Sequence, residues 1–304
     1  MEENLKLNYL KAGEIATKVL EYGKANAKVG VKLLDLGNEI ENKIIELGGE
    51  IAFPINLSRN EQAAHYTPSF QDETVIGEKD VLKIDAGVHI GGCICDCAFT
   101  IDFSGEYGKF VEASEAALEA ALSLAKPGRN VREIGKAIQG EITKRGLVPI
   151  ANLSGHRLDE FNLHAGQNIP NTESGNYVLQ EGDVFAVEPF ATNGAGEVID
   201  GDEVQIFLYT GAPLRCRLPS TKKIGKLILQ EYNELPFAQR WLQREMPDIG
   251  TFSVNAALRE LQMLDVIMPY PILVEKKKGA IVSQSETSMI ITEDGCIPLT
   301  SIKI

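Results

Sequence analysis

Residues 81–103 read VLKIDAGVHIGGCICDCAFTIDF. Two arms rich in apolar residues meet at Gly91-Gly92, a two-residue hairpin signal. With that turn Ile90 faces Cys93, and the faces of the hairpin follow. Leu82, Ile84, Ala86, Val88 and Ile90 share one face with Cys93, Cys95, Cys97, Phe99, Ile101 and Phe103. All are apolar, so the register is self-consistent. The other face carries Lys83, Asp85, Gly87 and His89 from the first arm, and Asp96, Ala98 and Thr100 from the second. Asp85 faces Ala98 and Asp96 faces Gly87, so the two aspartates are diagonal neighbours, with Cβ atoms roughly 7 Å apart. By itself this face reads as the wet side of an antiparallel sheet. Two carboxylates so close repel, however, and at least one pKa should rise unless they share a cation.

The 304 residues suffice for one large α/β domain or two modest ones, with a sizeable core in either case. A net charge of −13 argues against nucleic acid as the main partner. Lys276-Lys277-Lys278, the basic cluster of note, reads as a solvated turn. The N-terminal MEENLKLNYLKAGEIATKVL is polar and amphipathic, with no signal-type apolar core, and no apolar run reaches membrane-spanning length. A cytoplasmic protein with no membrane partner is expected. Cys93, Cys95 and Cys97 alternate along one arm, so they form a row of small apolar side chains on one face. Their spacing does not suit zinc.

Two helices are expected over the first 47 residues, the second closed by Gly48-Gly49. AFPINLSRNEQAAHYTP reads as a loop that opens with a short apolar, proline-bearing strand. After the hairpin come helices at about 107–125 and 130–145, separated by KPGRN. They lead into GLVPIANLSGHRLDEFNLHAGQNIP. Both halves therefore run helix, helix, short strand with proline, then NLS (Asn56–Ser58 and Asn152–Ser154), then histidines. That order fits a duplicated, pseudo-two-fold body. Strand character returns over 176–209. From about 211 to 268 the pattern is helical, including TKKIGKLILQEYNELP and FSVNAALRELQMLDVIM, and PYPIL closes the stretch. Strands resume at GAIVSQSETSMIITEDG. A helical stretch between strand segments reads as a subdomain of residues 211–268 inserted into an α/β body of residues 1–210 and 269–304.

A hard dication held by the aspartates needs further oxygen or imidazole ligands. His156 follows a short strand in NLSGHRLD, His164 lies in NLHAGQNIP and His65 in AAHYTP. Glu188 interrupts the hydrophobic DVFAVEPFA, and Glu286 interrupts IVSQSETSMII. A lone acid in such a strand is costly unless paired or metal-bound.

On AFPINLSRNEQAAHYTP, VLKIDAGVHIGGCICDCAFT, LSGHRLDEFNLHAGQNIP, FAVEPF, MPYPIL and QSETSMII, in that order and spacing, the chain resembles the type II methionine aminopeptidases in their short form. The resemblance covers nearly the whole chain. It implies the pita-bread fold: duplicated α/β halves around a curved antiparallel sheet, with an inserted helical, winged-helix-like subdomain. It implies two divalent ions (Co, Mn, Fe or Zn) on Asp85, Asp96, His156, Glu188 and Glu286. Asp85 would chelate one ion, Asp96 and Glu286 would bridge both, and His156 and Glu188 would hold the other. It further implies Glu188 as general base, His164 at the scissile carbonyl and His65 at the peptide near its second residue. Phe53, Leu163 and Tyr270 would line the methionine pocket. His89 receives no ligand role. The implied substrate is the N-terminal peptide of nascent proteins, with a small second residue, met near the ribosome by a monomer. Two alternatives stand beside this. An Xaa-Pro peptidase would use the same ligand types, but such proteins usually carry a large N-terminal domain, whereas motifs here begin by residue 53. A non-enzymatic pita-bread module binding RNA or protein would have lost ligands and gained basic tails, and this chain has neither feature.

Overall fold

The computed structural model describes residues 1–232 and 234–300. The chain opens with helices α1 (Glu3–Asn26) and α2 (Leu33–Glu46). Each buries one apolar stripe at three- and four-residue spacing: Ala12, Ile15, Ala16, Val19 and Leu20 on α1, and Leu33, Leu36, Ile40 and Ile44 on α2. Gly48, at φ +82°, terminates α2 in the left-handed conformation that glycine adopts without strain. Strands β1 (Glu50–Arg59), β2 (Gln62–Ala64), β3 (Val81–Ile90) and β4 (Cys93–Asp102) follow. A second helix pair, α3 (Gly108–Leu124) and α4 (Val131–Lys144), comes next. The Asn130 side chain caps α4 by accepting from the Arg132 amide. Short strands β5 (Val148–Pro149), β6 (Ser154–His156), β7 (Asn168–Pro170), β8 (Val184–Val187) and β9 (Phe190–Thr192) lead to the long β10 (Val198–Tyr209).

Next come α5 (Pro219–Leu227), a π-helical turn at Ile228–Tyr232, β11 (Phe237–Ala238), α6 (Gln239–Glu245) and α7 (Thr251–Met263). Ile224, Ile228, Trp241, Leu242, Val254 and Leu258 give these helices a hydrophobic cluster of their own. Strands β12 (Ile267–Glu275), β13 (Val282–Gln284), β14 (Glu286–Ile291) and β15 (Cys296–Pro298) complete the described chain. Asn233, inside the helix expected over TKKIGKLILQEYNELP, and residues 301–304 of the expected α/β body lie outside the described residues.

The fold is a mixed α/β body around a curled antiparallel sheet, as expected. Its main ladder runs β1-β3-β4-β14-β15, with β8 also on β14. The β3–β4 register pairs Ile90 with Cys93, Asp85 with Ala98 and Gly87 with Asp96, as the Gly-Gly turn requires. α1 and α2 pack on the cysteine face: Val19, Leu20 and Ile40 cluster with Ile84, Val88, Cys93, Cys95 and Cys97. α3 and α4 cover the other half, where Ile134 and Ile138 meet Phe185, Val187 and Met289. Each fully buried Leu, Ile or Phe in these layers contributes about 1.5–3 kcal/mol.

Four expectations need correction. The loop expected over AFPINLSRNEQAAHYTP is two strands. Pro54 falls where the β1–β3 ladder shifts register between Phe53 and Asn56, so its missing N–H breaks no regular pairing. The strand expected through FAVEPF breaks at Glu188-Pro189: β8 pairs with β14, while β9 pairs with β13 and β5. PYPIL does not close a helical stretch. The last helix ends at Met263, and PYPIL lies inside β12, paired with β10. Finally, the polar face of the hairpin is not wet. Lys83 is fully buried and donates to the carbonyls of Asn60 (3.3 Å) and Val282 (2.9 Å), and Asp96 is 4% exposed.

Candidate metal centre

Three strand registers bring the acids together. Ala98 of β4 pairs with Asp85 on one side and with Glu286 on the other, and Asp96 lies two residues along β4 on the same face. The small Ala98 side chain lets the two flanking carboxyls lean in above it. The edge between β4 and β14 is locked by side chains: Ser288 Oγ accepts from the Asp96 amide (2.7 Å) and donates to the Asp96 carbonyl (3.0 Å). Thr100 Oγ1 donates to the Gln284 carbonyl (2.7 Å) and accepts from the Gln284 amide (2.8 Å). Gln284 Nε2 then donates to Glu286 Oε2 at 2.8 Å. His156 ends β6, and Glu188 sits at the break between β8 and β9.

Ligand-type atoms of Asp96, His156 and Glu286 all lie within 4.8 Å of one another. Bonds of about 2.0–2.2 Å from one ion to nitrogen and oxygen would draw such a set only slightly closer. His156 Nε2 is 3.5 Å from Asp96 Oδ2. This is not an ion pair near neutral pH, because burial lowers the His156 pKa to about 4. Burial raises the Asp96 carboxyl to about 7. Burial and then the Asp96 charge hold Asp85, Glu188 and Glu286 well above the usual carboxylate range.

The donor set fits a hard or borderline divalent ion. Asp85 Oδ1, Asp96 Oδ1 and Glu286 Oε1 are buried with no hydrogen-bond partner. Three such oxygens lining one cavity are costly for a protein that uses them only structurally. Dications remove both the repulsion and the unmet acceptors.

Phe53, His65, Asp85, Asp96, His156, Leu163, His164, Glu188, Tyr270 and Glu286 all line a single cavity. Every residue singled out in the sequence for ligand, catalytic or pocket roles is thus in one place. The His156 and His164 rings are 4.4 Å apart, His164 stacks near Tyr270 at 6.2 Å, and Tyr270 meets His65 edge-on at 5.4 Å. Desolvation in the cavity lowers the pKa of the half-buried His65 to about 4 and lowers that of the more exposed His164, so both are neutral near pH 7. His65 adopts φ +66°, uncommon for a residue other than glycine, and is fixed on both sides. Its amide donates to Asn56 Oδ1 (2.7 Å), and its Nδ1 lies 3.1 Å from the Pro271 carbonyl. His89 takes no part in the cavity; its Nδ1 accepts from the Gly92 amide (3.2 Å) and so caps the hairpin turn.

Asn56, Ala64, Ile206 and Pro236 also line the cavity and were not anticipated. Asn56 had a signal, the repeated NLS triplet. Ile206 and Pro236 had none, because they arrive from β10 and from the segment before β11. Gly87, opposite Asp96, serves the cavity in another way. Its missing Cβ admits the Phe53 ring, 2.3 Å from where that atom would be.

The pattern of metallopeptidase family M24 matches residues 8–209. A methionine aminopeptidase of Pyrococcus horikoshii is 49% identical over 288 residues, covering 94% of this chain and 96% of that one. Among solved structures, a thermophilic Arx1 superposes with a TM-score of 0.87 at 18% identity, covering 99% of this chain and 91% of that one. A methionine aminopeptidase from Thermotoga maritima gives 0.70 at 18% identity, covering 98% and 97%. These two likenesses show the shared pita-bread fold. The chain belongs to metallopeptidase family M24, in its methionine aminopeptidase branch.

Proposed function

We propose that this protein removes the N-terminal methionine from peptides with a small second residue, using two divalent ions held by Asp85, Asp96, His156, Glu188 and Glu286. The observation that carries the reading is the convergence of three buried carboxyls, the half-buried Glu188 and a neutral imidazole in a cavity with an apolar wall. A mixed carboxylate and imidazole set suits Mn, Fe, Co or Zn. Asp96 and Glu286, whose ligand atoms lie closest to that of His156, would be available to more than one ion. Bound there, the ions would lower the pKa of a water, polarise the scissile carbonyl and hold the free amine.

The protein's own groups do the rest. Glu188 takes the proton of the attacking water and delivers it to the leaving amine. His164, neutral and close to His156, donates to the carbonyl oxygen as it gains charge. His65 Nδ1 faces the Pro271 carbonyl, which fixes the tautomer with the proton on Nδ1. Its Nε2 then carries a lone pair that can accept the peptide N–H of the second residue. Phe53, Leu163 and Tyr270, with Ile206 and Pro236, enclose the methionine side chain. The rings of His65 and Tyr270 crowd the position beyond it, which favours a small second residue. All these groups come from one chain, so a monomer suffices. Nascent proteins as the source of the peptide put the work near the ribosome and in the cytoplasm. Among the described residues no helix is long and apolar enough to cross a membrane.

The test is methionine release from Met-Ala-Ser by the purified protein, chelated and then reloaded with each metal in turn. Metal-dependent release with little cleavage of an Xaa-Pro peptide is expected. Cleavage of the Xaa-Pro peptide in its place, or none of either, defeats the reading.

A further inference from the structure

Outside the cluster, the helical insert is fastened to the body by a buried polar knot. Arg240 of α6 and Glu41 of α2 are 3% and 1% exposed and pair directly. Arg240 Nη1 donates to Thr67 Oγ1 and to the Pro68 carbonyl (3.2 Å), two and three residues after His65. Glu41 Oε1 accepts from the Ile55 amide (3.2 Å), and Glu41 Oε2 accepts from Trp241 Nε1 (2.9 Å).

Each arm of this knot leads to a wall of the cavity. Ile55 lies on β1 between Phe53, which lines the cavity, and Asn56, whose side chain holds the His65 amide. Thr67 and Pro68 hold the far side of the segment that carries His65. Across the seam, Arg240 lies two residues after the end of β11. Ala238 of β11 pairs with Ile206, and Pro236 precedes the strand. One ion pair therefore grips, from behind, the elements carrying Phe53 and His65 on one wall and Ile206 and Pro236 on the other.

Stability alone is a poor reason for such a pair. A buried ion pair rarely outperforms apolar residues of similar size. Here Arg240 Nε is also left buried without a partner. Apolar packing would seal the seam without fixing an angle, whereas directional bonds to four groups fix one.

We propose that Glu41 and Arg240 are positioning residues that set the distance between the two walls of the methionine pocket, and so set selectivity for the N-terminal side chain. The inference rests on the activity proposed above. Losing either partner alone leaves a buried charge and endangers folding. The test therefore uses Glu41→Gln with Arg240→Met, which leaves no charge and keeps an acceptor for Ile55. Leu258→Ala, inside the insert's own cluster, serves as a control for general loosening.

In the double variant KM for Met-Ala-Ser should rise about 10-fold, with the preference over Leu-Ala-Ser falling in step. Metal content should stay at the parent value. Amide hydrogen exchange over residues 62–68 and 235–238 should accelerate in the double variant and not in the control. A folded double variant with unchanged selectivity and unchanged exchange overturns the proposal. So does a control that alters selectivity equally. If the parent releases no methionine, the proposed activity fails, and the exchange measurement still decides whether the knot holds the two walls.

Discussion

The two faces of the β3–β4 hairpin share a backbone and nearly the same burial, yet they do opposite things. The face carrying Cys93, Cys95 and Cys97 is covered by α1 and α2, and its members need only shape and apolarity. The face carrying Asp85 and Asp96 is also shielded from water, but its acids retain oxygens that no protein donor reaches. Equal burial therefore means a core on one side and a candidate ligand site on the other. What separates them is whether the buried atoms have unmet polar valences, a sharper mark of function than exposure or residue rarity.

Substitutions on the hairpin can break this contrast. The largest effect is expected for Asp96→Asn, which keeps size and removes charge at the centre of the cluster. Methionine release should drop on the order of 1000-fold or more, with fewer ions bound by metal analysis. An Asn variant with two ions and full activity would sink the metal-site reading.

The raised carboxyls give a second expectation, with a definite sign. Their folded pKa values lie above the unfolded ones, so the metal-free fold holds protons that the unfolded chain has released. That contribution is fully present below the unfolded values near 4 and is lost as pH rises through the folded values. His65 and His156 have the opposite sign, but only between about 4 and 6.5. Metal binding must expel the carboxyl protons, whereas His156 is already neutral at pH 7. Metal affinity and the accompanying thermal stabilisation should therefore climb from pH 6 to 8. Titration calorimetry in buffers of different ionisation enthalpy reads the protons released, and a flat affinity across that range contradicts the assignment.

A middling effect is expected at Gly87, where the two faces are closest in purpose. Gly87→Ala should push the Phe53 ring out of place, costing about 1–3 kcal/mol of stability. KM for methionine peptides should rise while metal content holds, as steady-state kinetics and metal analysis would record. The smallest effect belongs to the apolar face. Cys95→Ala should lower stability by about 1 kcal/mol in a melting experiment and leave kcat/KM at the parent value.

Much of this was legible because the signals were local. A Gly-Gly turn and a strict alternation of side chains determined the register, and the register put Asp85 and Asp96 on one face. What escaped was decided by neighbours distant in sequence. AFPINLSRNEQAAHYTP looked like a loop because proline and asparagine argue against a strand, yet β3 supplied a partner that tolerated the irregularity. The acidic face looked solvated because alternation reports polarity, whereas burial depends on what the rest of the chain lays over it. Ile206 and Pro236 carried no local mark at all. Their place in the cavity comes from long-range packing, with Ile206 paired to Ala238 of β11, next to the segment that carries Pro236.

By itself, then, the sequence determined the hairpin, the helix pairs and, through ordered motifs, the family. Tertiary structure alone decided that the acids are buried beside one another with unmet oxygens, that Phe53 occupies the space Gly87 leaves, and where the far wall of the pocket stands. Periodicity is a property of neighbouring residues, so the chain records it directly. Burial and wall-to-wall distance are properties of segments hundreds of residues apart, and they exist only once those segments have packed.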